Sequence, residues 1–161
     1  MTLVPYIAGL TLAGFLIALT YVDIKSYRLP NMLTFPLIIC GLGQAYILEL
    51  PIRDHIIGAL IGYLAFVAIE KAFLKLRGYP GLGRGDAKLL AAGGAWTGWF
   101  GLPYIVLLAS FAGLSMMFAA ILTGRLKPQN MKKLAVPFGP FLSFAIFLVW
   151  FALIFRPLLG A

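Results

Sequence analysis

Five carboxylates occur in the 161 residues: Asp23, Glu49, Asp54, Glu70 and Asp86. Two of them stand where apolar runs meet polar ones, Asp23 in "TYVDIKSYRLPN" and Asp86 in "YPGLGRGDAK". Two carboxyl groups held close together in a poorly hydrated place do not both ionise easily, and they tend to share one proton. Such a pair suits hydrolysis of a peptide bond without a metal. The ionised member takes a proton from water while the protonated member hydrogen-bonds the scissile carbonyl. The two titrate as a unit, so the acid and base roles are not divided between Asp23 and Asp86. A second reading makes both of them boundary residues, Asp23 neutralised by Lys25 or Arg28 and Asp86 by Arg84 or Lys88. A third gives them proton relay or cation binding in a small transporter.

The other ionisable and reactive groups point elsewhere. Glu49 and Asp54 flank Arg53 in a short polar connection, where hydration or pairing accounts for them. Glu70 has Lys71, Lys75 or a basic loop residue as candidate partners. His55 has only Asp54 beside it and no placed serine or cysteine, so no triad forms around it and it reads as an interfacial residue. Cys40 is the sole cysteine, which excludes an intrachain disulfide and a cysteine-based zinc site. "GLGRGDAK" lacks the Gly-Lys-Ser/Thr ending of a phosphate cradle and follows a helix rather than a strand. The sequence therefore implies no metal and no cofactor.

The elements that must position the aspartates are membrane helices. Apolar residues make up 62% of the chain and charged ones 11%, which is a membrane composition. A helix needs about 20 apolar residues to cross a hydrocarbon core of roughly 30 Å. Runs at 3–22, 32–50, 55–74, 87–100, 103–123 and 138–159 predict an all-α polytopic protein, a bundle of six transmembrane helices in a single domain over residues 1–161. The first run has no basic residue before it and no cleavage site after it, so it is expected to be a retained helix. The fourth is the shortest, 14 residues from Ala87 to Phe100, or about 21 Å. With Trp96 and Trp99 anchoring its far end, Asp86 would begin this helix below the membrane surface.

Eleven of the thirteen Lys and Arg fall in the connections between helices one and two, three and four, and five and six; Arg53 and Arg156 are the exceptions. The positive-inside rule places those three connections in the cytoplasm and both termini outside, in a prokaryotic inner membrane. The net charge of +8 then reads as topology and as contact with anionic lipid headgroups, not as nucleic-acid binding. On this topology Asp23 and Asp86 come to the same cytoplasmic face at similar depth. Gly81, Gly83 and Gly85 permit a tight turn and close approach to a substrate, and loop 75–86 suits a gate. The start of helix four offers free amides and a positive dipole end to Asp86. Gly58 and Gly62, and Gly94 and Gly98, are spaced for close helix contacts.

"GRGDAKLLAAGGAWTGW" resembles the Gly-x-Gly-Asp signature of the type IV prepilin peptidases. "DIKSYRLPN" resembles that family's first aspartate segment, and "VPFGPFLSFA" its last-helix entry. Three motifs in order cover nearly all of the chain. The resemblance implies a membrane aspartic endopeptidase that removes the short basic leader from prepilins or pseudopilins at the cytoplasmic face, with Asp23 and Asp86 catalytic. Gly83 and Gly85 match the motif glycines, and Pro137, Phe138, Gly139 and Pro140 match the last-helix motif that would shape the site. Lys88, two residues past Asp86, points to another side of the helix and is open to a structural, lipid-facing or catalytic role. Larger members carry paired cysteines in an added cytoplasmic segment and also methylate the product. This chain opens on helix one without those cysteines, so peptidase activity is the expectation and methyl transfer is not. Asn31 stands where many members have an aspartate. A presenilin-like peptidase, which shares Gly-x-Gly-Asp, fits the whole-chain pattern less well.

Overall fold

The structure is a computed structural model that describes residues 3–77, 83–123 and 137–159. Among the described residues there are six α-helices and no strand: α1 Val4–Ser26, α2 Asn31–Ile47, α3 Ile52–Arg77, α4 Arg84–Thr97, α5 Leu102–Leu122 and α6 Gly139–Leu159. A 3-10 turn, Trp99–Gly101, joins α4 to α5. This is the all-α membrane bundle that the apolar runs predict. Three stretches, Val4–Ser26, Ile52–Leu76 and Trp99–Leu122, are long and apolar enough to cross a membrane, and α2 and α6 are apolar but shorter by that measure. Large side chains such as Leu10, Ile17, Leu107 and Phe111 are exposed on the outside, as expected of a helix whose solvent is lipid.

α4 is the centre of the bundle. From Leu89 to Thr97 every residue is buried, and α4 packs against α3, α2, α6 and α5. Its small residues make this possible. A methyl group on Gly94 would stand 2.2 Å from the Gly58 carbonyl oxygen, and one on Gly62 would stand 2.8 Å from that of Leu90. The α3 and α4 backbones therefore touch, as the glycine spacing predicts. Gly98 belongs to a different role. It lies past the end of α4 with φ of 72°, the left-handed conformation that favours glycine at a helix end.

Two residues differ from expectation. Trp96 is not an interfacial anchor. It is 2% exposed, its Nε1 donates to the Leu37 carbonyl at 2.8 Å, and its ring meets Trp150 edge-on at 5.9 Å. α4 starts and ends three residues earlier than its apolar run suggests, which draws Trp96 inward and leaves the half-exposed Trp99 at the outer turn. His55 is likewise buried, its Nδ1 donating to the Ala95 carbonyl at 2.9 Å. A polar side chain in a dry bundle is held by a backbone acceptor in preference to remaining unpartnered.

Candidate functional site

The C-terminal end of α1 and the N-terminal ends of α4 and α6 converge on a cavity of about 420 Å³. Asp23 and Asp86 both line it, with Tyr27, Arg28 and Leu29 after α1, Gly83, Arg84 and Gly85 at the start of α4, and Pro137 and Phe138 before α6. The two carboxyl groups are close enough to repel each other when both are ionised.

Asp23 sits within the last turn of α1, which runs four residues further than its apolar run and ends at Ser26. Tyr27 then takes φ of 52°, unusual for a residue with a side chain, and its N–H bonds back to the Asp23 carbonyl at 2.8 Å. The Asp23 side chain is 5% exposed, and its Oδ2 accepts the N–H of Gly139 at 3.1 Å. Gly139 is the first residue of α6, so Asp23 satisfies one of the free amides at that helix start and meets the positive end of its dipole. A methyl group on Gly139 would lie 2.5 Å from Asp23 Oδ2, so only glycine lets the backbone approach this carboxylate so closely.

Asp86 is the third residue of α4, in its first turn. Its backbone N–H bonds to the Gly83 carbonyl at 3.0 Å, and its carboxyl accepts from the Gly83 N–H. Each carboxylate is thus held at a helix N-terminus, Asp86 at its own and Asp23 at that of α6. The two motif glycines act differently from a flexible approach. Gly83 has φ of −81°, which any residue adopts, and a methyl group there would meet Asp86 Oδ2 at 3.5 Å, an ordinary contact distance. Gly85 is required by packing: a methyl group there would stand 3.0 Å from Leu29 Cβ. Gly81 and the rest of 78–82, the middle of the expected gate, lie outside the described residues, as does the basic loop 124–136.

Arg28 and Arg84 line the cavity, but among the described residues no ion pair reaches Asp23 or Asp86. Among the described residues the single ion pair joins Arg84 Nε to Glu70 Oε1 at 3.5 Å, which gives Glu70 the loop partner expected of it. Lys25 bonds the Tyr21 hydroxyl and lies over its ring, 4.4 Å from the centroid. Lys88 turns away from Asp86 and donates to Asn31 Oδ1 at 2.5 Å, which ties α4 to the start of α2. That gives Lys88 a structural contact. Arg28, a candidate partner of Asp23, lines the cavity with Tyr27 and Leu29, which residue types alone did not single out; their position soon after Asp23 was the available signal. No group of His, Cys, Asp and Glu suited to a metal occurs among the described residues.

An all-α membrane bundle with two carboxylates at one mouth defines the class, and comparison with known proteins supplies the family. Residues 10–118, more than half of the chain, match the family model described as the type IV leader peptidase family, and the chain belongs to that family. It is similar to the prepilin leader peptidase/N-methyltransferase of Aeromonas salmonicida strain A449, with 42% identity over 159 residues, covering 93% of this chain and 52% of that protein. The protein of the same name from Burkholderia pseudomallei strain 1026b is 40% identical over 138 residues, covering 85% of this chain and 43% of its own length. The chain spans about half the length of the curated relatives it matches. No solved structure is a significant match.

Proposed function

We propose that this protein is an aspartic endopeptidase that removes the leader from type IV prepilins or pseudopilins, with Asp23 and Asp86 as the catalytic pair. The observation that carries the reading is that one cavity collects both aspartates, from segments distant in sequence, and that neither has a cationic partner among the described residues. Family membership supports the peptidase class, and the relatives named as prepilin leader peptidases support the substrate.

In the mechanism, the carboxyl pair holds one proton and a water molecule between them. The ionised carboxylate takes a proton from that water as its oxygen attacks the scissile carbonyl carbon, and the protonated carboxyl hydrogen-bonds the carbonyl oxygen. Collapse of the tetrahedral intermediate sends a proton to the leaving amine and restores the shared one. The helix starts of α4 and α6 fix both groups, so little reorganisation accompanies the step. Gly85 and Gly139 hold the walls near the carboxylates, and Pro137, Phe138 and Pro140 shape the entrance from α6.

The clustering of basic residues in alternate connections supports a cavity on the cytoplasmic side of a bacterial inner membrane, with both termini outside and anionic headgroups around the loops. α4 covers only about 21 Å of a core of roughly 30 Å, which keeps Asp86 below the headgroups. Methyl transfer is not part of this reading. The test is co-expression of the chain with a prepilin in cells lacking other leader peptidases, the product read by mass. Loss of the leader is expected, and the same mass reports whether the new N-terminus is methylated; a precursor of unchanged mass overturns the reading.

A further inference from the structure

The five carboxylates of the chain divide between the two ends of the bundle. Glu49 lies in the connection between α2 and α3, and Asp54 stands beside Gly98 at the far end of α4. At the cavity end the carboxylates are Asp23, Asp86 and Glu70. Arg84, the first residue of α4 and two before Asp86, lines the cavity. Arginine stays charged at any working pH. Its guanidinium therefore has two anionic places to go, Glu70 or the aspartate pair. It takes Glu70, with Nε 3.5 Å from Oε1.

Stability does not account for this ion pair. The Glu70 side chain is 16% exposed but that of Arg84 is 78% exposed, and a pair so open to solvent contributes little. Nor do α3 and α4 need it to stay together, since their backbones already meet at Gly58 with Gly94 and at Gly62 with Leu90. A largely buried carboxylate near the inner end of an apolar helix calls for another reason. What the pairing decides is where the cation stands. A guanidinium brought against two carboxyl groups favours ionisation of both. A doubly ionised pair has no proton to share and no acid to hydrogen-bond the scissile carbonyl.

The other described polar groups around the pair leave this role to Glu70. Tyr27 and Arg28 follow α1 on the cavity wall, and Arg28 forms no ion pair with either aspartate. Lys25 is engaged with Tyr21, and Lys88 of α4 bonds Asn31 of α2. The chain enters α6 through Pro137 and Phe138, which carry no charge.

We propose that Glu70 is a positioning residue of the peptidase: by holding Arg84 it keeps that guanidinium off Asp86 and Asp23, so that the pair retains the proton it must share. The proposal rests on the peptidase reading above and adds a third carboxylate to it. Glu70 touches no reacting atom and acts through Arg84.

The test measures prepilin cleavage against pH for the full chain and for Glu70→Met, Arg84→Met, the two combined, and Glu70→Met with Arg28→Met. A cation released towards the pair favours its doubly ionised form, so the alkaline limb of the Glu70→Met profile should move to lower pH by about one unit. On that limb kcat should fall about tenfold. Arg84→Met alone should stay within about threefold of the unaltered chain, and adding it to Glu70→Met should restore the rate and the limb to that range. Arg28→Met should restore neither. A Glu70→Met profile like that of the unaltered chain, a double variant no faster than Glu70→Met, or restoration by Arg28→Met in place of Arg84→Met overturns the proposal. So does a Glu70→Met thermal midpoint lowered by more than about 4 °C, which would make the ion pair structural. Those outcomes leave the peptidase reading standing; absence of cleavage by the unaltered chain overturns both.

Discussion

The bundle contains two polar clusters, one at each end of α4, and they are built in opposite ways. Towards the outer turn, Gln44 Nε2 donates to the Trp96 carbonyl at 3.3 Å and its Oε1 accepts from Trp150 Nε1 at 3.2 Å, while Trp96 and His55 bond backbone carbonyls. Donors and acceptors there match, and the cluster locks α2, α3, α4 and α6 together, with a mostly apolar groove of about 390 Å³ beside Gln44 and Trp96. Towards the other end, two carboxylates share a cavity with Arg28 and Arg84 on its wall, Asp23 held by the Gly139 amide and neither carboxylate in an ion pair among the described residues. A network in which every member is satisfied rigidifies a dry interior. On the proposed reading, carboxylates kept at helix starts beside a cavity are instead placed for a reactant, and this difference would separate the scaffold of the molecule from its chemistry.

The comparison breaks most sharply at the carboxylates. Asp23→Asn or Asp86→Asn, each with almost no change of shape, should lower prepilin cleavage by at least about 1000-fold while the protein still inserts and purifies normally, as read by a cleavage time course and size-exclusion chromatography. Gly139→Ala comes next, with a loss of about 100-fold, because its methyl group would collide with Asp23 and displace it. Its thermal midpoint in detergent should also fall, since forcing a methyl group against the buried Asp23 costs about 1–3 kcal/mol. Gly85→Ala should impair cleavage more than Gly83→Ala, the former pressing on Leu29 Cβ at 3.0 Å and the latter meeting Asp86 Oδ2 only at an ordinary 3.5 Å, and assays of the pair side by side would show it.

At the scaffold end the signature reverses. Gln44→Leu leaves the Trp96 carbonyl and the Trp150 indole unpartnered and should cost about 1–3 kcal/mol of stability in denaturant titration, with cleavage by the folded fraction intact. The smallest effect is expected for Lys88→Met, which loses one partly exposed bond to Asn31 and should change cleavage by less than about threefold.

Much of this contrast was legible in the sequence. Helix periodicity plays little part in lipid, but the length and purity of the apolar runs place all six helices within a few residues, and the alternating direction of successive helices is what brings Asp23 and Asp86 to one face. The glycine pairs of α3 and α4 announce close contact, and the backbones do meet at Gly58 and Gly94. What the sequence hid are long-range partners. Nothing local links Gln44 to Trp96 and Trp150, or turns His55 and Trp96 inward, because those bonds depend on the three-residue offset of α4 and on which helices neighbour it. Gln44, a polar residue in the middle of an apolar run, was nonetheless a visible signal. The direct bond from Gly139 to Asp23 explains in atomic terms why a last-helix motif belongs with an aspartate of the first helix.

The central claim is that Asp23 and Asp86 act as one catalytic unit, and the double variant tests it most directly. Cleavage rates of a purified prepilin should be measured for Asp23→Asn, Asp86→Asn and the two combined. Groups that work as a unit lose nearly everything with the first substitution, so the double variant should be no slower than either single one. A single variant that still cleaves at more than a few per cent of the original rate, or a double variant slower than both by the product of two separate losses, would contradict it.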